Sequence, residues 1–148
     1  MTARENVVPV LLEKVYQLIQ DKLELSHQPL VTKLAQHLFS NIADDDLIQR
    51  NESDLYGAVV SLWHHINEKK PEDISVRVFN PTVSRQGWQS THTIVEIVVP
   101  DSPFLVDSIK MALTRLDLVS HLMLNNPTQL ERDKKGQVTD VNLSLIHI

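Results

Sequence analysis

The chain has 148 residues, with 14 Lys and Arg against 19 Asp and Glu, a formal net charge of −5, no Cys and three Gly. That length suits one domain, or one domain with a helical extension. The acidic balance excludes the concentrated basic face that nucleic-acid backbones demand, and the missing cysteines exclude a disulfide scaffold, thiolate zinc and a cysteine nucleophile.

The first element is a helix. Val8, Leu11, Leu12, Val15, Tyr16, Leu18, Ile19 and Leu23 recur at helical spacing, with Pro9 expected in the first turn. His27-Gln28-Pro29 breaks it, and Val31, Leu34, Ala35, Leu38 and Phe39 mark a second helix. Asp44-Asp45-Asp46 places negative charge at the start of a short helical turn, where the backbone dipole favours it. A cation site would need further oxygen ligands at defined spacing. Ser53 is the expected N-cap of a third long helix striped by Leu55, Val59, Leu62 and Ile66, which Lys69-Lys70-Pro71 ends.

Beyond Pro71 the apolar period becomes two. Ile74, Val76 and Val78 share one face of a strand closed by Asn80-Pro81, and residues 82–90 read as a loop. Thr91 to Val99 is the strongest strand, with Val95, Ile97 and Val99 on one face and Ile94 and Val98 on the other. Two apolar faces predict cover on both sides. Pro100-Asp101-Ser102-Pro103 is a turn, with Ser102 as N-cap and Pro103 at the first helical position. Leu105, Ile109, Ala112, Leu113 and Leu116 make the next helix amphipathic. Leu118 to Leu124 reads as a strand parallel to 91–99, and Asp133-Lys134-Lys135-Gly136 as a hairpin turn with Gly136 left-handed. The fold class is α+β: a helical N-terminal subdomain over 1–70, then a βαβ sheet domain over 71–148. Ser144 to Ile148 end the sequence inside an apparent strand, so an incomplete sheet, a fragment and self-association are expected. Those five residues also resemble adapter read-through.

Gly57, Gly87 and Gly136 stand too far apart to write G-x-G-x-x-G or G-x-x-x-x-G-K-[ST], so no glycine loop is present to cradle a dinucleotide or a nucleotide triphosphate. No apolar run approaches the ~20 residues that span a bilayer. Residues 1–6 lack a secretory pattern, and the cytoplasm is the expected compartment. No metal site is expected. His64 and His65 diverge by about 100° on a helix, while His37, His92 and His121 lie on different elements. Arg77 and Asn80 could hold a phosphoryl group in a small phosphatase, but a surface Arg and a turn Asn describe them better. The serines show no base and orienter in sequence, so no hydrolase triad is expected. The free N–H groups at the helix start after Asp101 suit a small carboxylate, with Ser102 adding a hydroxyl.

Asp54-Leu55-Tyr56-Gly57-Ala58, Ser61-Leu62-Trp63, Arg77-Val78-Phe79-Asn80-Pro81, Gly87-Trp88-Gln89-Ser90, His92-Thr93, Val95-Glu96-Ile97-Val98 and Pro103-Phe104-Leu105-Val106-Asp107-Ser108 follow in order. Together they resemble the N-terminal region of the large bacterial NAD-specific glutamate dehydrogenases, across about residues 1 to 140. The resemblance implies an incomplete ACT-like (ferredoxin-like) domain. It implies a parent that converts L-glutamate, NAD and water to 2-oxoglutarate, ammonia and NADH. It places NAD and the catalytic residues elsewhere in that parent, with no cofactor and no catalysis here. The implied partners are the catalytic and other regulatory domains of the same polypeptide, a further copy in a homo-oligomer and an amino-acid effector, with no nucleic acid and no membrane. Asp101, Ser102, Phe104, Leu105, Val106 and Asp107 form the implied effector or inter-domain contact site. Phe104 stands where an ACT effector loop carries glycine, which adds packing or inter-domain contact as a role. A free-standing ACT-type binding or oligomerisation module is the alternative reading.

Overall fold

The computed structural model describes residues 3–143 apart from 41, 69–73, 87, 89, 91, 101 and 126. Asp101 and the Ser144–Ile148 segment therefore lie outside the described residues. Four helices come first: α1 (Ala3–Lys22), α2 (Gln28–Phe39), α3 (Asp44–Leu47) and α4 (Glu52–Glu68). They are followed by β1 (Ser75–Phe79), α5 (Val83–Gln86), β2 (Ile94–Val98), α6 (Leu105–Arg115), β3 (Thr128–Arg132) and β4 (Val138–Leu143). The class is α+β, with an incomplete sheet.

The helical stripes form the core. Val15, Ile19, Val31, Leu34, Ala35, Leu38, Leu55, Val59, Trp63 and Ile66 are all buried in one cluster. α4 packs against both α1 and α2, as an apolar stripe on each helix requires. α1 begins earlier than the periodicity suggests, so Pro9 lies inside it rather than in its first turn. Pro29, by contrast, opens α2, where its missing N–H costs nothing. The Gln28 side chain donates to the Gln20 and Leu23 carbonyls at 3.0 and 2.8 Å, satisfying acceptors at the end of α1. Asn51, not Ser53, caps α4: its Oδ1 accepts from the Asp54 N–H at 2.8 Å.

Two antiparallel pairs make the β structure. In β1–β2 the register sets Val76 opposite Ile97, Arg77 opposite Glu96 and Val78 opposite Val95. The side packed on α4 carries Ser75, Arg77, Phe79, Ile94, Glu96 and Val98, and the face carrying Val76 and Val78 points outward. Among the described residues, α4 covers one side of β2 and Val95 on the other side is half exposed, so the expected cover on both sides is not found there. Residues 83–86 form a helical turn within the expected loop.

The β3–β4 hairpin turns at Asp133–Gly136, with Gly136 at φ 86° as the turn demands. Val138 and Val141 of β4 join the helical core, and β4 lies on α2. Among the described residues no parallel pair forms. Residues 118–124 belong to neither sheet, and Leu122 and Leu124 pack against the core. Alternation in that segment comes from packing of single side chains, which a strand pattern mimics.

Gly57 of α4 is buried because the Trp88 indole lies directly on it; an added Cβ would overlap the ring. Phe79 meets the same indole edge-on, with centroids 6.5 Å apart. Ala is the better helix former by about 1 kcal/mol, but overpacking here costs ~1–3 kcal/mol. Gly57→Ala is therefore predicted to lower the urea midpoint. A midpoint equal to or above that of the parent chain would show that Trp88 is not seated on α4.

Candidate functional site

The densest polar cluster lies between the last turns of α4 and the sheet. His65 and Glu96 are 2% and 6% exposed. His65 sits near the end of α4, one residue before the core residue Ile66, so the same turn that buries Ile66 aims the imidazole at β1 and β2. Its Nε2 is 2.6 Å from Ser75 Oγ. Its Nδ1 is 3.2 Å from Glu96 Oε1, close enough for attraction though off the line of a good hydrogen bond. A proton on Nδ1, facing Glu96, leaves Nε2 to accept from the Ser75 hydroxyl.

Arg77 stands beside Glu96, with Nε 3.8 Å from Oε1, and its Nη1 is 3.7 Å from Glu68 Oε2. Glu96 Oε2 meets no hydrogen-bond donor among the described residues.

Ser75, His65 and Glu96 lie side by side, but His65 Nδ1 makes no hydrogen bond to Glu96, so Ser75 has an imidazole neighbour and no hydrogen-bonded orienter behind it. Here the cluster joins helix to sheet. The arrangement fixes the imidazole from two sides and compensates a buried carboxylate with a cation. Sequence reasoning missed it, although one signal was present: Glu96 is a charge on the Ile94–Val98 face of an otherwise apolar strand.

Arg77 is engaged by two carboxylates, and Asn80 Oδ1 accepts from Thr93 Oγ1 at 2.6 Å. These two residues are not turned to a shared phosphoryl site. His92 and His121 do come together, with stacked rings 4.3 Å apart. No group of three or more metal-ligating side chains occurs among the described residues. Nor, among them, is any helix long and apolar enough to cross a membrane.

The turn before α6 differs from its expected form. The helix begins at Leu105, and Phe104 occupies the cap position at φ 63°. Ser102 and Pro103 precede it and do not cap it. Phe104 is 77% exposed, so its ring packs on little of its own chain. Asp107 lies in the first turn, with Leu105 and Val106 half-buried before it. The left-handed conformation is one that glycine adopts freely and phenylalanine adopts at a cost.

The second sheet is tied to the same end of α4. Arg132 donates to the Ile66 carbonyl at 2.7 Å and to the Gly136 carbonyl at 2.9 Å. The Val138 N–H donates to Asn67 Oδ1 at 2.8 Å, and Asn67 Nδ2 donates to the Trp63 carbonyl at 2.9 Å. A cation on the last carbonyls of α4 also complements the helix dipole.

Burial holds the His65 imidazole below its ordinary pKa of 6.5; Glu96 opposes that shift and Arg77 adds to it. The unfolded chain then binds a proton near pH 6.5 that the folded chain refuses. The resulting stability is complete above that pH and is lost as pH falls toward the folded value. His37 is lowered too, by burial and then by Lys33. Urea midpoints are predicted to fall from pH 7 to pH 5.5. His65→Gln should flatten much of that fall, leaving the share due to His37. An undiminished fall in the variant would contradict this account of His65.

The family described as "Glutamate dehydrogenase, ACT1 domain" matches residues 34–145. A relative named NAD-specific glutamate dehydrogenase from Pseudomonas aeruginosa is 42% identical over 113 residues, 76% of this chain and 7% of its own length. One of the same name from Halomonas elongata is 34% identical over 139 residues, 94% of this chain and 9% of its own length. This chain therefore spans under a tenth of the curated relatives it matches. No solved structure matches it. The family match runs from α2 through the β3–β4 hairpin, and on it the chain belongs to the glutamate dehydrogenase ACT1-domain family.

Proposed function

We propose that this chain is an N-terminal regulatory or assembly segment of an NAD-dependent glutamate dehydrogenase. The observation that carries this reading is the ACT1-domain match over residues 34–145, joined to relatives more than ten times as long that bear the enzyme's name. The parent oxidises L-glutamate with NAD and water to 2-oxoglutarate, ammonia and NADH in the cytoplasm. This segment takes no part in hydride transfer. Its three scattered glycines form no dinucleotide loop, which supports placing NAD in another part of the polypeptide.

Its partners are the catalytic and other regulatory domains of the same polypeptide and a further copy of itself. The division at residue 70 separates a helical half from a sheet half in this reading. The working site is the turn at Ser102, Phe104, Leu105, Val106 and Asp107, with Asp101 beside it. An exposed Phe104 ring supports contact with a neighbouring domain. An amino-acid effector would use the backbone donors of the same turn. Either contact regulates only by favouring one state of the enzyme over another.

Two measurements test the reading. The chain given L-glutamate and NAD is predicted to form no NADH. Deleting the matching region from the Pseudomonas aeruginosa enzyme is predicted to change its oligomeric state or its response to amino acids while turnover persists. NADH formation by the chain, or a deletion enzyme unchanged in both properties, would overturn it.

A further inference from the structure

Three basic side chains from distant parts of the sequence meet at one corner of the molecule. Arg50 and His92 each lie two residues before an element, α4 and β2 respectively, and His121 follows α6. The His92 and His121 rings stack with centroids 4.3 Å apart and planes 24° from parallel. Arg50 Nη2 donates to the His121 carbonyl at 3.1 Å, which brings the guanidinium beside the stack. Both imidazoles are exposed and Arg50 is half-buried.

This corner has no counter-charge. Among the described residues the ion pairs are Lys33 with Asp140, His65 with Glu96, and Arg77 with Glu68 and Glu96. Acids outnumber Lys and Arg by 19 to 14 in this chain, yet among the described residues none is paired with Arg50, His92 or His121. Arg50 Nε is shielded from water and has no hydrogen-bond partner. A guanidinium carries five N–H donors, and each imidazole adds at least one ring N–H in either tautomer. Donors left without acceptors cost free energy.

The stack decides what kind of guest fits. A metal ion takes each imidazole lone pair in the plane of its ring, at about 2.0–2.1 Å. Two nearly parallel rings do not bring their planes to one point at that distance, so the pair does not chelate. Donors on side-by-side rings suit a guest with several acceptor oxygens instead. A guanidinium fork is the side chain that best matches such oxygens.

We propose that Arg50, His92 and His121 bind a small oxyanion, a carboxylate or a phosphate, at the corner between α4, β2 and the segment after α6. The guanidinium supplies the charge and the ring N–H groups fix the orientation. The turn at 102–107 joins the other ends of β2 and α6. This site is therefore separate from that turn and stands whether or not the turn takes an effector.

The test is an NMR titration of the chain at pH 7 that follows the His92 and His121 ring protons and the Arg50 Nε–H. Glutarate, L-glutamate and inorganic phosphate are added separately, with NaCl of equal ionic strength as the control. At least one anion is expected to shift all three residues saturably, with half-saturation at about 1–10 mM. Tighter binding of phosphate than of glutarate assigns the site to phosphate groups, and the reverse assigns it to carboxylates. Arg50→Gln is expected to weaken binding about tenfold or more, and His92→Gln, at an exposed ring, about threefold with unchanged circular dichroism. No saturation by any of the three anions up to about 50 mM overturns the proposal. So do shifts that NaCl reproduces, or binding unchanged in both variants.

Discussion

The end of α4 is the joint on which the rest of the structure depends. Helices α1 and α2 need α4 to bury their stripes, and both β pairs are fastened to its last two turns. His65 faces Ser75 and Glu96 of the first pair; the Ile66 carbonyl and Asn67 serve the second. These contacts occur where a helix leaves its carbonyls unpaired. The sequence thus uses an intrinsic defect of the helix end as a socket for two small sheets. Neither sheet has enough strands to be stable alone.

That dependence explains the odd polarity of β1–β2. A small sheet held by a charged residue pair and an imidazole turns Ser75, Arg77 and Glu96 inward beside Phe79, Ile94 and Val98, and Val76, Val78 and Val95 are left outside. Arg77 opposite Glu96 is a cross-strand pair of opposite charge on the covered face. Desolvating those charges is tolerable only because each meets another. The arrangement fits a domain whose outer face is completed by further protein. Belonging to the glutamate dehydrogenase ACT1 family, in relatives more than ten times as long, fits the same picture.

Much of this was legible in the residues. The 3.6-residue stripes of α1, α2 and α4 mark buried positions well, because a helix face has a single periodicity and a single partner layer. Gly136 was legible since a tight turn needs positive φ. The resemblance motifs around Gly57 and Trp88 mark one packing contact, which linear spacing does not reveal. Ser53 and Ser102 fit capping statistics, but Asn51 was better placed for the first helix and Phe104 took the cap position of the second. Period two in 118–124 resembled a strand where single leucines reach the core. Alternation in β1 tells which residues share a face and not which face is covered. Glu96 held the correcting signal, as a charge that needs a buried partner.

The central claim is that His65 and Glu96 hold sheet and helix together as one cooperative unit. A double-mutant cycle with His65→Gln, Glu96→Gln and the pair, read by urea unfolding at pH 7, tests it most directly. The account predicts that the two changes are coupled by about 1 kcal/mol or more, with one transition seen by every probe. Additive effects, or separate transitions for the helices and the sheet, would contradict it.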